Sequence, residues 1–521
     1  MKKYSVAVVV SIAMFIFALD TTMMNVAITA LAQDLDTEIQ NIQFAIACYA
    51  LVIAAVMMLG AKLAKIYGTK RIFIIGVILY GIGTLTASLS VNVAMLTVGW
   101  SVIEGVGAAF MVPTAVSFLM KGYQGKERSV AFAIFTAVTV GAAAIGPIIG
   151  GAFTTYLSWR GAFAMEFILV VIILVFSRVL TEHRSPEKPK LDVVGALLSA
   201  LGFGCLVFGV INMSANSWAS VLMITGGIIL LLLILWEIRQ QRKGNEPLIP
   251  TSLLVNRNNM AGGAVNLLQQ LCLAALLFTM PFFLQSVLAK NAMETGLIAM
   301  PLTLAMMVTM LLTPRLATRV PVKYLTICGI ALCVIGAVLL ANSFSADMAT
   351  TALIPGFVVY GLGVGLSLAQ LQNLALSSLK PGETDEGAGL FNTFRNLGSS
   401  LGTAIVGTLL ITFFLSGMVL DINNSTVLPQ DDKDTLTAVV TENTQEMTRD
   451  EIEAEAKVIL GHYPPEYAHE IKTIAADAIG HSMRVTYYTL AGILGVSLIA
   501  SLFLSRRKLV PSADEATGPP T

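Results

Sequence analysis

The sequence predicts an all-α polytopic membrane protein with about fourteen transmembrane helices. Three observations predict it. Only 12% of the 521 residues are charged, about half the roughly 25% of a soluble globular chain. Mean hydropathy is +0.78. Apolar runs of about 20 residues, each long enough to cross a bilayer as a helix, recur along nearly the whole chain. In lipid only helices or a closed barrel satisfy the backbone, and continuous runs without strict alternation choose helices.

The expected spans, in order, begin with a set of six at 5–31, 42–64, 72–90, 94–120, 130–153 and 162–180. An extra pair follows at 193–213 and 219–238. The second set of six runs 259–285, 295–316, 324–341, 352–379, 388–420 and 485–504. The chain then divides into an N-terminal six-helix bundle (1–181), two extra helices with cytoplasmic linkers (182–258) and a C-terminal six-helix bundle (259–521). Loop charge supports this parity. Lys2 and Lys3, then Lys65, Lys70 and Arg71, then Lys121, Lys126 and Arg128 fall on alternate loops. The same side collects Arg184, Arg239, Arg315 and the tail cluster Arg506, Arg507 and Lys508. By the positive-inside rule both termini are cytoplasmic. The first run is too long for a cleaved signal and reads as a signal-anchor. The segment 421–484 is polar and acidic and is expected to form an extracytoplasmic insertion of two helices with a hinge at Pro464 and Pro465.

Zero net charge gives no reason to expect a nucleic-acid partner. Cys48, Cys205, Cys272, Cys328 and Cys333 all lie in apolar runs and read as small core residues. His462, His469 and His481 are spaced too widely for an expected zinc site. No Walker motif is present, so direct drive by ATP is not expected, and no motif joins a nucleophile, a base and an oxyanion group.

Ionisable groups within spans are functional candidates by default. Asp20 lies in the first span, Glu104 near the centre of the fourth and Glu166 within the sixth. Low dielectric disfavours a carboxylate's charge, and two carboxylates in reach titrate as a pair. Such groups can carry protons, and a bound cation would compete with the proton for one of them. Phe17 and Met24 share a helix face with Asp20 and, with Asn25, are candidate cavity residues. Gln269, Gln270, Gln370 and Asn373 could add polar contacts from the second half, and Arg395 could be a counter-ion to one of the acids.

Four stretches resemble signatures of the major facilitator superfamily, in its fourteen-helix drug:proton antiporter branch. "LDTTMMNVAITAL" resembles the first-span signature through Leu19, Asp20, Thr22, Asn25, Val26 and Ala27, with Thr29 in place of the usual proline. "AKLAKIYGTKR" resembles the cytoplasmic loop signature through Lys62, Leu63, Gly68, Lys70 and Arg71, and Lys65 stands where the family has aspartate. "VGAAAIGPIIGG" resembles the antiporter hinge of the fifth span, through Gly141, Gly146, Pro147, Gly150 and Gly151. "GAGLFNTFRNLGSSLGTAIVG" is similar to the start of the thirteenth span. In the fourth span Ser101 holds the family's arginine position and Glu104 its glutamine position, and Glu166 replaces an asparagine.

The resemblance implies a multi-pass protein of the cytoplasmic membrane, probed by protons and a small molecule and needing no cofactor beyond the proton gradient. It implies multidrug efflux by alternating access, with lipophilic, cationic compounds as the expected substrates. Asp20 and Glu104 would be proton and cation sites and Glu166 an outer gate. The alternatives are a dedicated exporter or importer of one metabolite, anion or lipid, and a non-transporting scaffold using the acidic outer segment. A monomer is expected.

Overall fold

The computed structural model describes residues 4–182, 192–212, 218–243, 251–345, 348–379, 384–425 and 465–506, with a few isolated positions between them. Among these residues fourteen helices are long and apolar enough to cross a membrane. In chain order, α1–α6 are Ser5–Val26, Ile39–Tyr67, Thr69–Ser88, Val93–Gly122, Val130–Tyr156 and Trp159–Val179. The extra pair, α7 and α8, is Val193–Val210 and Ala219–Arg242. The second set, α9–α14, is Arg257–Ser286, Ala292–Ala317, Val322–Ser343, Thr350–Leu376, Gly387–Asn424 and Thr473–Ser501. The starts are locally encoded. Asn92, Ser158, Asp192 and Asn256 accept backbone N–H bonds at the heads of α4, α6, α7 and α9. Asn291 and Glu294 form a reciprocal capping box at the head of α10.

Packing shows two matching halves. In the first, α1 lies on α5, α4 on both α2 and α3, and α3 on α6. In the second, α9 lies on α13, α12 on both α10 and α11, and α11 on α14. The halves meet along two seams, α2 with α13 and α5 with α10. The extra pair is not a spacer. Val207 and Val210 of α7 pack with Ala47 and Ala54 of α2 and with Leu397 and Ala404 of α13, so α7 covers one seam from outside.

Three features differ from the expected pattern. The first span breaks. Its α-helix ends at Met23, a 3-10 turn covers Met24–Val26, and a new helix starts at Ile28. α12 breaks too, between Leu368 and Leu371. The second helix expected before residue 485 is not separate: one helix runs Pro465–Ser501 into the last span. Proline is tolerated in a helix's first turn, where its missing N–H costs nothing, and no breaker follows it. The rest of the expected outer insertion, 438–464 with His462, lies outside the described residues.

Candidate functional site

Helices α1, α4 and α6 bring the three predicted acids together. Asp20, Glu104 and Glu166 are each 0% exposed, and one carboxylate oxygen from each lies within 4.8 Å of the other two. The Trp100 indole, one turn before Glu104, donates from Nε1 to both Asp20 oxygens, at 3.1 and 3.0 Å. Its ring stacks on Tyr49 at 5.6 Å and meets the Phe163 edge at 5.8 Å. Thr84 Oγ1 donates to Glu104 Oε2 at 2.8 Å. Glu104 Oε1, both Glu166 oxygens and the Tyr49 and Tyr80 hydroxyls are buried without a hydrogen bond. No lysine or arginine forms an ion pair with the cluster among the described residues. Three carboxylates at this spacing could ligate a metal ion, but no histidine or cysteine joins them.

Local structure aims these groups. α4 is wound as a π-helix over Thr97–Glu104, a form that concentrates at functional sites. Small residues let α3 and α4 meet backbone to backbone: Gly83 abuts Glu104, and Gly107 abuts Tyr80. Ser101, at the position where the resemblance leads one to expect arginine, donates to the Ala45 carbonyl of α2 at 2.7 Å. Trp100, Tyr49, Tyr80 and Thr84 were not singled out from the sequence. Only Trp100 carried a signal, a helical spacing of four from Glu104.

Other expected roles change. Arg160 is not near Glu166. It pairs with Asp34, donates to the Ser90 carbonyl at 2.7 Å and lies over the Trp159 ring. Glu166 sits in the acid cluster instead, which removes it as an outer gate. Arg395 pairs with none of the acids, because α13 faces the second half and the seam rather than the cluster. Gln269 is fully buried and its Oε1 meets the Cys333 thiol of α11, so it packs inside the second half. Gln370 and Asn373 bond each other at 2.6 Å across the break in α12. Phe17, Met24 and Asn25 are buried, while Thr21 beside Asp20 is exposed and Gln270 half-buried.

The loop signature also gains a partner. Gly68 turns between α2 and α3 with φ 107°, a conformation that favours glycine. The carboxylate that Lys65 lacks is supplied from elsewhere: Glu182 Oε1 accepts from the Lys70 backbone N–H at 3.1 Å, at the head of α3. The helix dipole favours a negative charge there.

The hinge motif sits at the seams. Gly146 and Gly150 abut Thr22 and Met23 of α1, while Pro147 and Gly151 abut Gly296 and Ala292 of α10. Gly141 faces open space. Beside them Thr29 bonds Gln285, and Gln285 Nε2 donates to the Val26 carbonyl at 2.8 Å. Met293 N–H donates to Thr155 Oγ1 at 3.0 Å. On the second seam Gln43 Nε2 donates to the Thr403 carbonyl at 2.6 Å. All of these join the halves at the end away from the chain termini.

α14 packs on the outer part of α13, where Gly417 abuts Ala478 and Ser482 bonds the Leu410 carbonyl. Along the part nearer its start, α13 has three helical neighbours and one further strip. Gly263, Leu267 and Leu271 of α9 lie against Phe394, Gly398 and Gly402. The α7 side carries Leu397 and Ala404. The α2 side carries Thr393 and Ser400, which bond the carbonyls of Ala54 and Ala47 at 3.3 and 2.7 Å. The remaining strip, at spacings of three and four, is Ala388, Asn392, Arg395 and Ser399. It lies between the α9 and α2 sides, away from α7, and so faces the space between the halves.

Comparison with known proteins agrees with this architecture. The family model described as Major Facilitator Superfamily matches residues 10–403. A probable actinorhodin transporter of Streptomyces coelicolor is 30% identical over 404 residues, covering 75% of this chain and 69% of that one. The multidrug resistance protein Stp of Mycobacterium tuberculosis is 25% identical, covering 76% and 74%. Among solved structures, a bacterial homologue of the human lysosomal transporter Spinster superposes with a TM-score of 0.65 at 13% identity, covering 98% and 99%. The chain belongs to the major facilitator superfamily. It is a multi-pass membrane transporter, not an enzyme, and these two relatives are described as an antibiotic transporter and a multidrug resistance protein.

Proposed function

We propose that the protein is a proton-coupled exporter of lipophilic small molecules, working by alternating access, with Asp20, Glu104 and Glu166 as the proton site. The observation that carries this is the sealed cluster of three acids without a basic partner. Two unit charges at 4.8 Å repel by about 3.5 kcal/mol at an effective dielectric near 20. Three ionised groups would pay this for each pair, so protons neutralise part of the cluster and leave one at a time. Trp100 favours the ionised form of Asp20 by donating to both oxygens. Full burial keeps a bulky organic cation off all three groups in this state. Direct competition of drug and proton for one carboxylate is therefore replaced by competition through conformation. Taking both termini as cytoplasmic, as loop charge predicts, the clasps at Gln285, Thr155 and Gln43 lie on the outer side, while the α2–α13 seam is also bonded nearer mid-membrane through Thr393 and Ser400. The outer clasps support an inward-facing reading. Only the proton gradient is needed to drive the cycle.

The test is substrate-driven proton flux in proteoliposomes. Asp20→Asn and Glu104→Gln should each abolish it while the protein still folds. Wild-type proton flux in both variants would sink the proposal.

A further inference from the structure

Arg395 is the unexplained charge. Thr393, two residues before it, bonds the Ala54 carbonyl, and Ala54 lies near the midpoint of α2, Ile39–Tyr67. The guanidinium thus stands near the middle of the membrane, where a charge is costly and marks a functional position. It is exposed, yet its strip of α13 faces the space between the halves and not lipid. The α9, α7 and α2 sides of the helix are all occupied. Arg395 forms no ion pair with any described residue. The acids that could neutralise it are fully buried inside the other bundle, behind Trp100. Among the described residues, the strip of α13 between the halves therefore presents a cation, while the clustered acids are hidden.

We propose that Arg395 anchors an acidic group of the exported molecule, so that the substrate class is lipophilic compounds bearing a carboxylate or a comparable anion. This rests on the export reading above and replaces the cationic preference expected from the sequence. The physical reason is complementarity. A guanidinium is planar, permanently charged and fits a carboxylate in two parallel hydrogen bonds. An organic cation entering the same space would meet Arg395, which no acid among the described residues pairs with. The flanking Asn392 is tied back to its own helix, its Nδ2 donating to the Ala388 carbonyl at 2.9 Å. Proton binding and substrate binding then fall on opposite halves: acids in the first, the anion anchor in the second.

The test is equilibrium binding to the purified full-length protein in nanodiscs, which does not depend on proton coupling. The probes are naphthalene, anthracene and xanthene carboxylates, each beside its methyl ester and its aminomethyl analogue. The carboxylates should bind more tightly than their esters and amines. Arg395→Gln should weaken them on the order of 10- to 100-fold, the usual weight of a charge-assisted bond, and leave the esters unchanged. Arg395→Lys should recover part of the loss, which a merely structural role would not show. A panel in which no carboxylate binds more tightly than its ester overturns the proposal. So does a carboxylate preference that survives in Arg395→Gln, measured on protein that elutes as a single species. Loss of proton flux in Asp20→Asn with intact carboxylate binding would leave the anchor standing on its own, and intact proton flux there with Arg395-dependent binding would remove only the coupling site.

Discussion

Gln285→Leu should open the outer side of the protein. Gln285 makes two bonds across the halves, with Thr29 and with the Val26 carbonyl. Val26 lies in the break of α1, between the helix that ends at Met23 and the one that starts at Ile28. Its carbonyl takes the Gln285 amide, and leucine would leave that acceptor without this donor. An ordinary hydrogen bond contributes about 1 kcal/mol net, and an orphaned buried acceptor costs about 1–3 kcal/mol. The two together weaken the outer-closed state by about 2–3 kcal/mol, which multiplies the opening constant roughly 30- to 150-fold. Thr29→Val removes only the first bond and should give about 5- to 10-fold. The assay is electron–electron distance measurement between spin labels at Gln33→Cys and Ser286→Cys, both exposed at the outer end and on opposite halves. A long-distance population should rise in the order wild type, Thr29→Val, Gln285→Leu. An unchanged distribution in Gln285→Leu would refute the clasp.

Trp100→Phe keeps the stack on Tyr49 but removes the one indole N–H that Asp20's two oxygens share; proton release should slow by on the order of tenfold or more, read as pH-jump proton flux. Gly151→Leu should block closure of the α5–α10 seam, because a side chain there meets the Ala292 backbone; transport should be lost while the outer side stays reachable by thiol reagents. Arg160→Ala should cost about 1 kcal/mol or less, since Arg160 and Asp34 are 31% and 45% exposed and solvent screens the pair; thermal unfolding would show a small fall, with proton coupling intact. Asp20→Asn combined with Gln285→Leu should not be additive in the distance assay if one helix links the two sites; additive shifts would mean that α1 does not couple them.

The acids were legible because a carboxylate in an apolar run has no cheap structural reason to be there. What joins them was not. Trp100, Tyr49 and Tyr80 are ordinary membrane residues by type, and only packing shows them around the cluster. The π-wound turn of α4 contains Gly99, but a lone glycine does not mark a π turn, and the α1 break occurs in "MNVA" without proline or glycine. The position of Arg395 was legible but its partner was not, because a helix face becomes a cavity face only once its neighbours are known. Glu182 is the same kind of case: it reaches the head of α3 from more than 100 positions along the chain. The order of spans, by contrast, follows directly from run length and loop charge, since each helix must satisfy its own backbone in lipid.

Coupling has a physical route because Asp20 and Thr21 are neighbours on one helix but face different worlds. Asp20 is sealed against Trp100, and Thr21 is exposed. Five residues after Thr21, Val26 in the break of α1 holds the outer clasp to Gln285. A proton on Asp20 weakens the charge-assisted grip of Trp100, which ties α1 to α4. In the proposed cycle a substrate reaching Thr21 would push on the same helix from the other side. Neither has to touch the other, and each biases the angle of α1 and so the clasp at its far end. Under the proposed proton coupling, that arrangement would let the protein keep Asp20, Glu104 and Glu166 away from its cargo and still link the two. The two ligands act on one two-state element, which is the requirement for coupling between sites.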